Sequence, residues 1–166
     1  MGEITQEQLK EFLSYDPDTG LFVWVVTKGN KSISSVAGTT VRGGYIRIGI
    51  SGKHYLAHRL AWLYVYGEFP TKYLDHINGV TNDNRVENLR EATNQENQYN
   101  QGVCRVNKSG YKGVSWNKKV GKWVASGYAN SKSIFLGYFS TPEEASKAYN
   151  DYAKKHHGEF YRNTRE

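Results

Sequence analysis

Apolar residues fall along this chain in short bursts whose spacing switches between helical and strand periods. Thr5-Gln6-Glu7-Gln8 is a capping box, in which a hydroxyl and a carboxamide satisfy the free amides of a helix start. Leu9, Phe12 and Leu13 continue it as an apolar helical stripe, and Asp16-Pro17-Asp18-Thr19-Gly20 is a turn signal. Leu21 to Val26, rich in valine and aromatics, predicts a strand, and residues 27–40 read as a polar loop. Tyr45 to Ile50 alternates as a second strand, with a turn at Ser51-Gly52. Leu56 to Tyr66 is apolar on a helical period, with Gly67 placed to end it.

Further on, Asp75-His76 closes a short strand and Ile77-Asn78-Gly79 turns away from it. Asn88-Leu89-Arg90-Glu91-Ala92 predicts the returning strand, and Thr93-Asn94-Gln95-Glu96 is a capping box opening a helix that carries Asn97. Gln101 to Gly110 is polar and turn-rich. Three strand-like runs follow, Gly113–Trp116, Lys122–Tyr128 and Ser133–Phe139, separated by turns at Lys118–Gly121 and Asn130–Lys132. Thr141-Pro142-Glu143-Glu144 is one more capping box, with proline at the first helical position. Ala145, Ala148, Tyr149, Tyr152 and Ala153 then share one helical face. The pattern predicts an α+β fold in two parts, residues 1–101 and 111–166, with a linker over 102–110.

Charge divides the same way. Of 22 Lys/Arg and 16 Asp/Glu, residues 105–166 hold 12 and 5, a balance of +7, and the first 104 hold 10 and 11, a balance of −1. That asymmetry favours a polyanion, nucleic acid ahead of membrane, as partner of the C-terminal part. Tyrosines number 13, suiting both small cores and wet interfaces. The single cysteine, Cys104, excludes an internal disulfide framework and a four-thiolate zinc site, and fits a reducing compartment. With no signal peptide and no bilayer-length apolar run, the expectation is a soluble, cytoplasmic protein, in the host cytoplasm if phage-encoded.

The ordered set Asp75, His76, Asn88 and Asn97 resembles the signature of HNH, or ββα-metal, nucleases: a histidine beside an acid, an asparagine near the second strand, and a histidine or asparagine on the helix. The match is nearest to phage homing-type enzymes, carried by His58-Arg59-Leu60-Ala61-Trp62, Asp75-His76-Ile77-Asn78-Gly79, Asn84-Arg85 and Asn88-Leu89-Arg90, and covers residues 5–101. The resemblance implies Mg²⁺, with Mn²⁺ as a substitute, held by the oxygens of Asp75 and Asn97. It also implies His76 as general base, which requires a solvent-accessible imidazole, and Asn88 as the residue that orients it. No small-molecule cofactor is implied. Asn78 and Asn82 read as turn formers, His54 and His58 as packing or phosphate-facing, and His156-His157 as a solvated helix end. Arg59, Arg85 and Arg90 are candidate phosphate contacts. The paired CxxC zinc staples of many relatives are missing, so packing alone must hold this core.

Residues 111–163 resemble the plant ethylene-response (APETALA-type) DNA-binding domain, on Tyr111-Lys112-Gly113-Val114, Gly121-Lys122-Trp123, Leu136-Gly137-Tyr138-Phe139 and Thr141-Pro142-Glu143-Glu144-Ala145. The resemblance implies a three-stranded antiparallel sheet backed by one helix, its strands entering the major groove of double-stranded DNA. Lys112, Lys118, Lys119, Lys122 and Lys132 are candidate phosphate contacts, and Arg105 and Lys108 add to the basic run. Where the plant domains read bases with arginines this chain has Ser115, Asn117, Tyr128 and Ser133, so the plant target does not transfer. Together these readings make a divalent-metal-dependent endonuclease on duplex DNA, a monomer before a dimer. The rivals are a non-catalytic DNA-binding protein on a degenerate nuclease scaffold and an RNA-directed nuclease.

Overall fold

The computed structural model describes residues 3–27, 32–104, 106–129 and 132–162. Arg105, part of the expected loop (28–31) and part of the expected turn (130–131) lie outside the described residues, as do the last four of the chain. The fold is α+β, in two compact units, Met1–Asn97 and Gln98–Glu166.

In the first unit, α1 (Gln6–Phe12) starts at the Thr5–Gln8 capping box as expected. It stops at Leu13, which takes an extended conformation and begins β1 (Leu13–Asp16). That strand lay hidden in the helical reading, because Leu13 continues the apolar stripe of α1 and also starts an alternation with Tyr15. It pairs antiparallel with β2 (Leu21–Trp24) across the aspartate-rich turn, where Asp16 accepts from the Asp18 amide and the Thr19 hydroxyl. A bridge from Val23 to Val36 and strand β3 (Thr39–Thr40) give structure to the segment expected as a plain loop. β4 (Ile46–Ile50) lies between β3 and a second unforeseen strand, β5 (Lys53–Leu56), which runs directly into α2 (Ala57–Tyr66). Gly67 ends α2 in the left-handed conformation, φ 84°, that favours glycine there.

The core joins Leu9, Leu13, Phe22, Trp24, Ile48, Ile50 and Leu60, all essentially removed from water. On this base stand β6 (Tyr73–His76) and β7 (Leu89–Ala92), an antiparallel pair, followed by α3 (Asn94–Asn100). The Thr93 hydroxyl and Glu96 carboxylate close the expected capping box at 3.2 and 2.7 Å.

In the second unit β8 (Val114–Asn117), β9 (Lys122–Ala129) and β10 (Lys132–Phe139) form an antiparallel sheet with β9 in the centre. Helix α4 (Pro142–His157) begins at the Thr141–Glu144 box with Pro142 in its first turn. Val114 and Ala125 on the sheet meet Ala145, Tyr149 and Ala153 on the helix, with Trp123 packed against them. The small residues matter: a Cβ on Gly127 would fall inside the Tyr152 ring. Residues expected as a free linker are tied in. Asn107 donates to the Tyr111 carbonyl at 2.8 Å, and the Ser109 hydroxyl donates to that of Val114 at 2.9 Å.

Candidate active site and nucleic-acid interface

Strand alternation sends Asp75 and His76 to opposite faces of β6. Asp75 stands opposite Arg90 on β7, and its Oδ2 accepts from Arg90 Nε and Nη2, both at 2.9 Å. Both donors converge on one oxygen of the buried Asp75, and Arg90 is part-buried, so either partner is costly to remove alone. In the first turn of α3 the bonds from Thr93, then the charges of Lys72 and Arg90, hold the Glu96 carboxyl below its usual range. Asn97, half-buried, sits in that turn with its amide bonded to the Thr93 carbonyl.

His76 is only 4% exposed, against the expectation of an accessible base. Its ring packs against Tyr45 at 5.8 Å and edge-on to His58 at 5.1 Å. Burial pushes its pKa below the ordinary histidine range, with Asn84, Asp75 and Asp83 pulling the other way. Burial, then His76 and Arg59, takes His58 down to about 3. Two facing imidazoles in a dry setting cannot both be protonated, so the pair favours neutral rings and leaves His76 able to accept a proton. Motif reasoning placed His58 among packing or phosphate-facing residues, inside the His58–Trp62 motif, and did not bring Tyr45 into the site. Their approach to His76 has no local signal, because it is set by the packing of α2 and of the segment before β4.

The loop joining β6 to β7 is built by asparagines. Asn88 Oδ1 accepts from the Asn78 amide at 3.0 Å and Nδ2 donates to the Asp83 carbonyl at 2.9 Å, while Asn88's own carbonyl holds the Ile77 amide. Asn78 closes a tight turn onto Val80, as a turn-forming asparagine should. From β1 the Tyr15 hydroxyl accepts from the Val86 amide at 3.0 Å and donates to the Asn84 carbonyl at 2.8 Å. Asn88→Ala removes two loop contacts at a buried position and should destabilise the protein by about 1–3 kcal/mol. Thermal melting checks this, and an unchanged midpoint removes the clamp.

The candidate cations divide by what already holds them. Arg85 is engaged with Asp83 and Glu87, and holds the Asp83 carboxyl down to about 2. Arg59 lies 5.4 Å from the centre of the Phe69 ring, and Arg90 is paired with Asp75. Lys112 donates to the carbonyls of Tyr99 and Gln101 at 2.6 Å and of Gln98 at 3.4 Å, so its ammonium caps the end of α3. Burial, then Arg162, lowers its pKa to about 8. Lys112→Met should destabilise the second unit by about 1–3 kcal/mol and leave the salt dependence of nucleic-acid binding unchanged, because the three donors already have acceptors. Melting and a salt titration measure both, and a shallower salt slope would contradict it. Lys118, Lys119, Lys122 and Lys132 are exposed, as are Ser115 and Tyr128, whereas Asn117 uses Oδ1 to hold the Lys119 and Val120 amides of the hairpin turn. His157 departs from the expected solvated helix end: it is buried, stacked on Tyr99 with ring centres 3.7 Å apart.

Residues 55–99, which hold β6, the asparagine loop, β7 and most of α3, match the HNH endonuclease family. Residues 109–159 match the AP2 domain. The chain carries an HNH endonuclease domain followed by an AP2 domain. It is 36% identical over 76 residues to Protein 3.8 of Escherichia phage T7, covering 45% of this chain and 63% of that protein. An uncharacterized HNH endonuclease of Acanthamoeba polyphaga mimivirus is 32% identical over 110 residues, covering 66% of this chain and 56% of the relative. The chain thus spans roughly six-tenths of the length of the curated relatives it matches. No solved structure matches it. The HNH match contains every candidate catalytic and metal-binding residue, and the AP2 match contains the whole three-stranded sheet. Among the described residues no helix is long and apolar enough to cross a membrane, and no cluster of three His, Cys, Asp or Glu side chains could hold a metal.

Proposed function

We propose that this protein is a divalent-metal-dependent endonuclease that hydrolyses phosphodiesters in double-stranded DNA, binding the duplex through the AP2 sheet and cutting with the HNH domain. The observation that carries the reading is β6, with Asp75 and His76 on its opposite faces, inside the stretch that matches the HNH family. Asp75 and Asn97 would hold the cation. A carboxylate and an amide are hard oxygen donors, suited to Mg²⁺ or Mn²⁺, and two protein ligands leave room for phosphate and water. A cation bound there would neutralise charge on the scissile phosphate and on the departing oxygen.

The chain's own residues do the rest. The neutral His76 imidazole takes a proton from the attacking water, and the ring is held by Tyr45 and His58. Asn88 keeps the 77–88 loop closed beside it. Water must reach an imidazole that is nearly covered in the DNA-free protein, so Tyr45 has to yield when the duplex binds. Arg90 neutralises Asp75, and would share that carboxylate with a bound cation. One such centre per chain makes single-strand nicking by a monomer the expected product.

The test is nicking of supercoiled plasmid with Mg²⁺ or Mn²⁺ by the parent and by His76→Ala. Equal rates, or no cutting by either protein with either metal, removes the catalytic claim and leaves a DNA-binding protein on a nuclease scaffold. Competition between duplex DNA and RNA tests the substrate, and preference for RNA overturns it.

A further inference from the structure

Register identifies the face of the AP2 sheet turned away from α4. Ser115 stands opposite Val124, Val124 opposite Tyr138, Ser126 opposite Phe135 and Tyr128 opposite Ser133. Directly opposed residues share a face. The complementary set includes Val114, Ala125 and Gly127, which pack on α4. The outer face is therefore a field of serines carrying three exposed aromatics, Tyr128 at 44% on the central strand and Phe135 at 59% and Tyr138 at 46% together on the edge strand β10.

Residues three apart on a regular strand point to opposite sides. Here the register shifts between Phe135 and Gly137, so the bulge at Leu136 turns both rings outward. They meet edge to face, with centres 5.0 Å apart. Exposed lysines lie at the hairpin and strand ends of the same sheet, and residues 105–140 include no acid. Charge selects a polyanion, but phosphate gives an aromatic pair nothing apolar to contact. Within the major groove of duplex DNA the thymine 5-methyl is the apolar group on offer, and serines suit either base edge. Successive unpaired bases would need open parallel ring faces, and an edge-to-face pair supplies a notch.

We infer that Phe135 and Tyr138 read thymine 5-methyl groups in the major groove, making thymine at fixed positions part of the binding site. This rests on the reading that the AP2 sheet binds duplex DNA.

The full chain, without divalent cation, would select binders from a random-sequence duplex pool. Each thymidine of the enriched duplex is then replaced by deoxyuridine, which deletes one methyl and keeps the base pair. At one or two positions affinity should fall about three- to fivefold per methyl. Phe135→Ala, at an exposed site and checked by melting, should lose the distinction at the thymidine Phe135 reads, the double variant Phe135→Ala/Tyr138→Ala should bind the thymidine and deoxyuridine duplexes alike, and Phe135→Leu should keep the distinction. Enriched duplexes with no fixed thymine, or deoxyuridine duplexes bound as tightly as their parents, overturn the inference while duplex binding stands. Preference for a single-stranded pool overturns it in favour of base stacking. Binding of neither pool overturns both this inference and the reading beneath it.

Discussion

His76→Ala should slow Mg²⁺-dependent nicking of supercoiled plasmid by about a hundred- to ten-thousandfold, the usual contribution of a positioned general base. Affinity for the same plasmid in the absence of metal should stay within about twofold, since duplex binding is assigned to the AP2 sheet and its lysines. Because the ring is buried against Tyr45 and His58, its removal also leaves a hole, and the melting temperature has to be read alongside the rate. A folded variant that still binds but no longer cuts is the expected outcome. Chelating the divalent ion from the parent should give the same phenotype. Asp75→Asn is the companion variant: it keeps the shape of the side chain and one acceptor for Arg90 while weakening the hold on a cation, so it should demand more Mg²⁺ for the same rate. Asp75→Ala is a poorer probe, because it strands a part-buried guanidinium and confuses folding with chemistry.

Gly113→Ala should unfold the AP2 domain at temperatures the parent tolerates. Gly113 has φ +70°, where an L side chain costs about 1–2 kcal/mol, and an added Cβ would fall inside the ring of the buried Tyr149. Forcing the ring or backbone aside adds about 1–3 kcal/mol more, a large part of what a small domain has. Gly121→Ala separates the two causes, since Gly121 has φ +66° but open space around it. It should lose only the backbone share. Denaturant melting of the three proteins measures this, and equal losses in both variants would show that the contact with Tyr149 contributes nothing. Gly113→Ala should also abolish metal-free duplex binding.

Much of the architecture was legible because its signals are local. Three capping boxes, at Thr5, Thr93 and Thr141, each mark a helix start, since a hydroxyl and a carboxamide or carboxylate three residues apart have a specific use there. The three-stranded sheet and α4 were read from alternation and turn residues. β1 and β5 were not, because each abuts a helix and shares apolar residues with its stripe; Leu13 and Leu56 satisfy both periods. In the site, Asp75, His76, Asn88 and Asn97 stand out by residue type and order. The pairing of Asp75 with Arg90 depends on hairpin register, and the approach of Tyr45 and His58 to His76 depends on packing between distant segments. Lys112 looked like any other lysine of a basic run. Only its position beside the carbonyls of Gln98, Tyr99 and Gln101 at the helix end decides what its ammonium does.

The hydroxyl of Tyr15 reaches from the second element of the fold to the backbone of Asn84 and Val86, inside the loop that joins β6 to β7 and ends at Asn88. An excised fragment limited to residues 55–99 would keep every reactive group and lose that brace, together with the buried Phe22 and Trp24 beside it. Anyone grafting this cutting head onto a different targeting domain should therefore transplant it with its first fifty residues attached, because the motif by itself is cargo without a chassis.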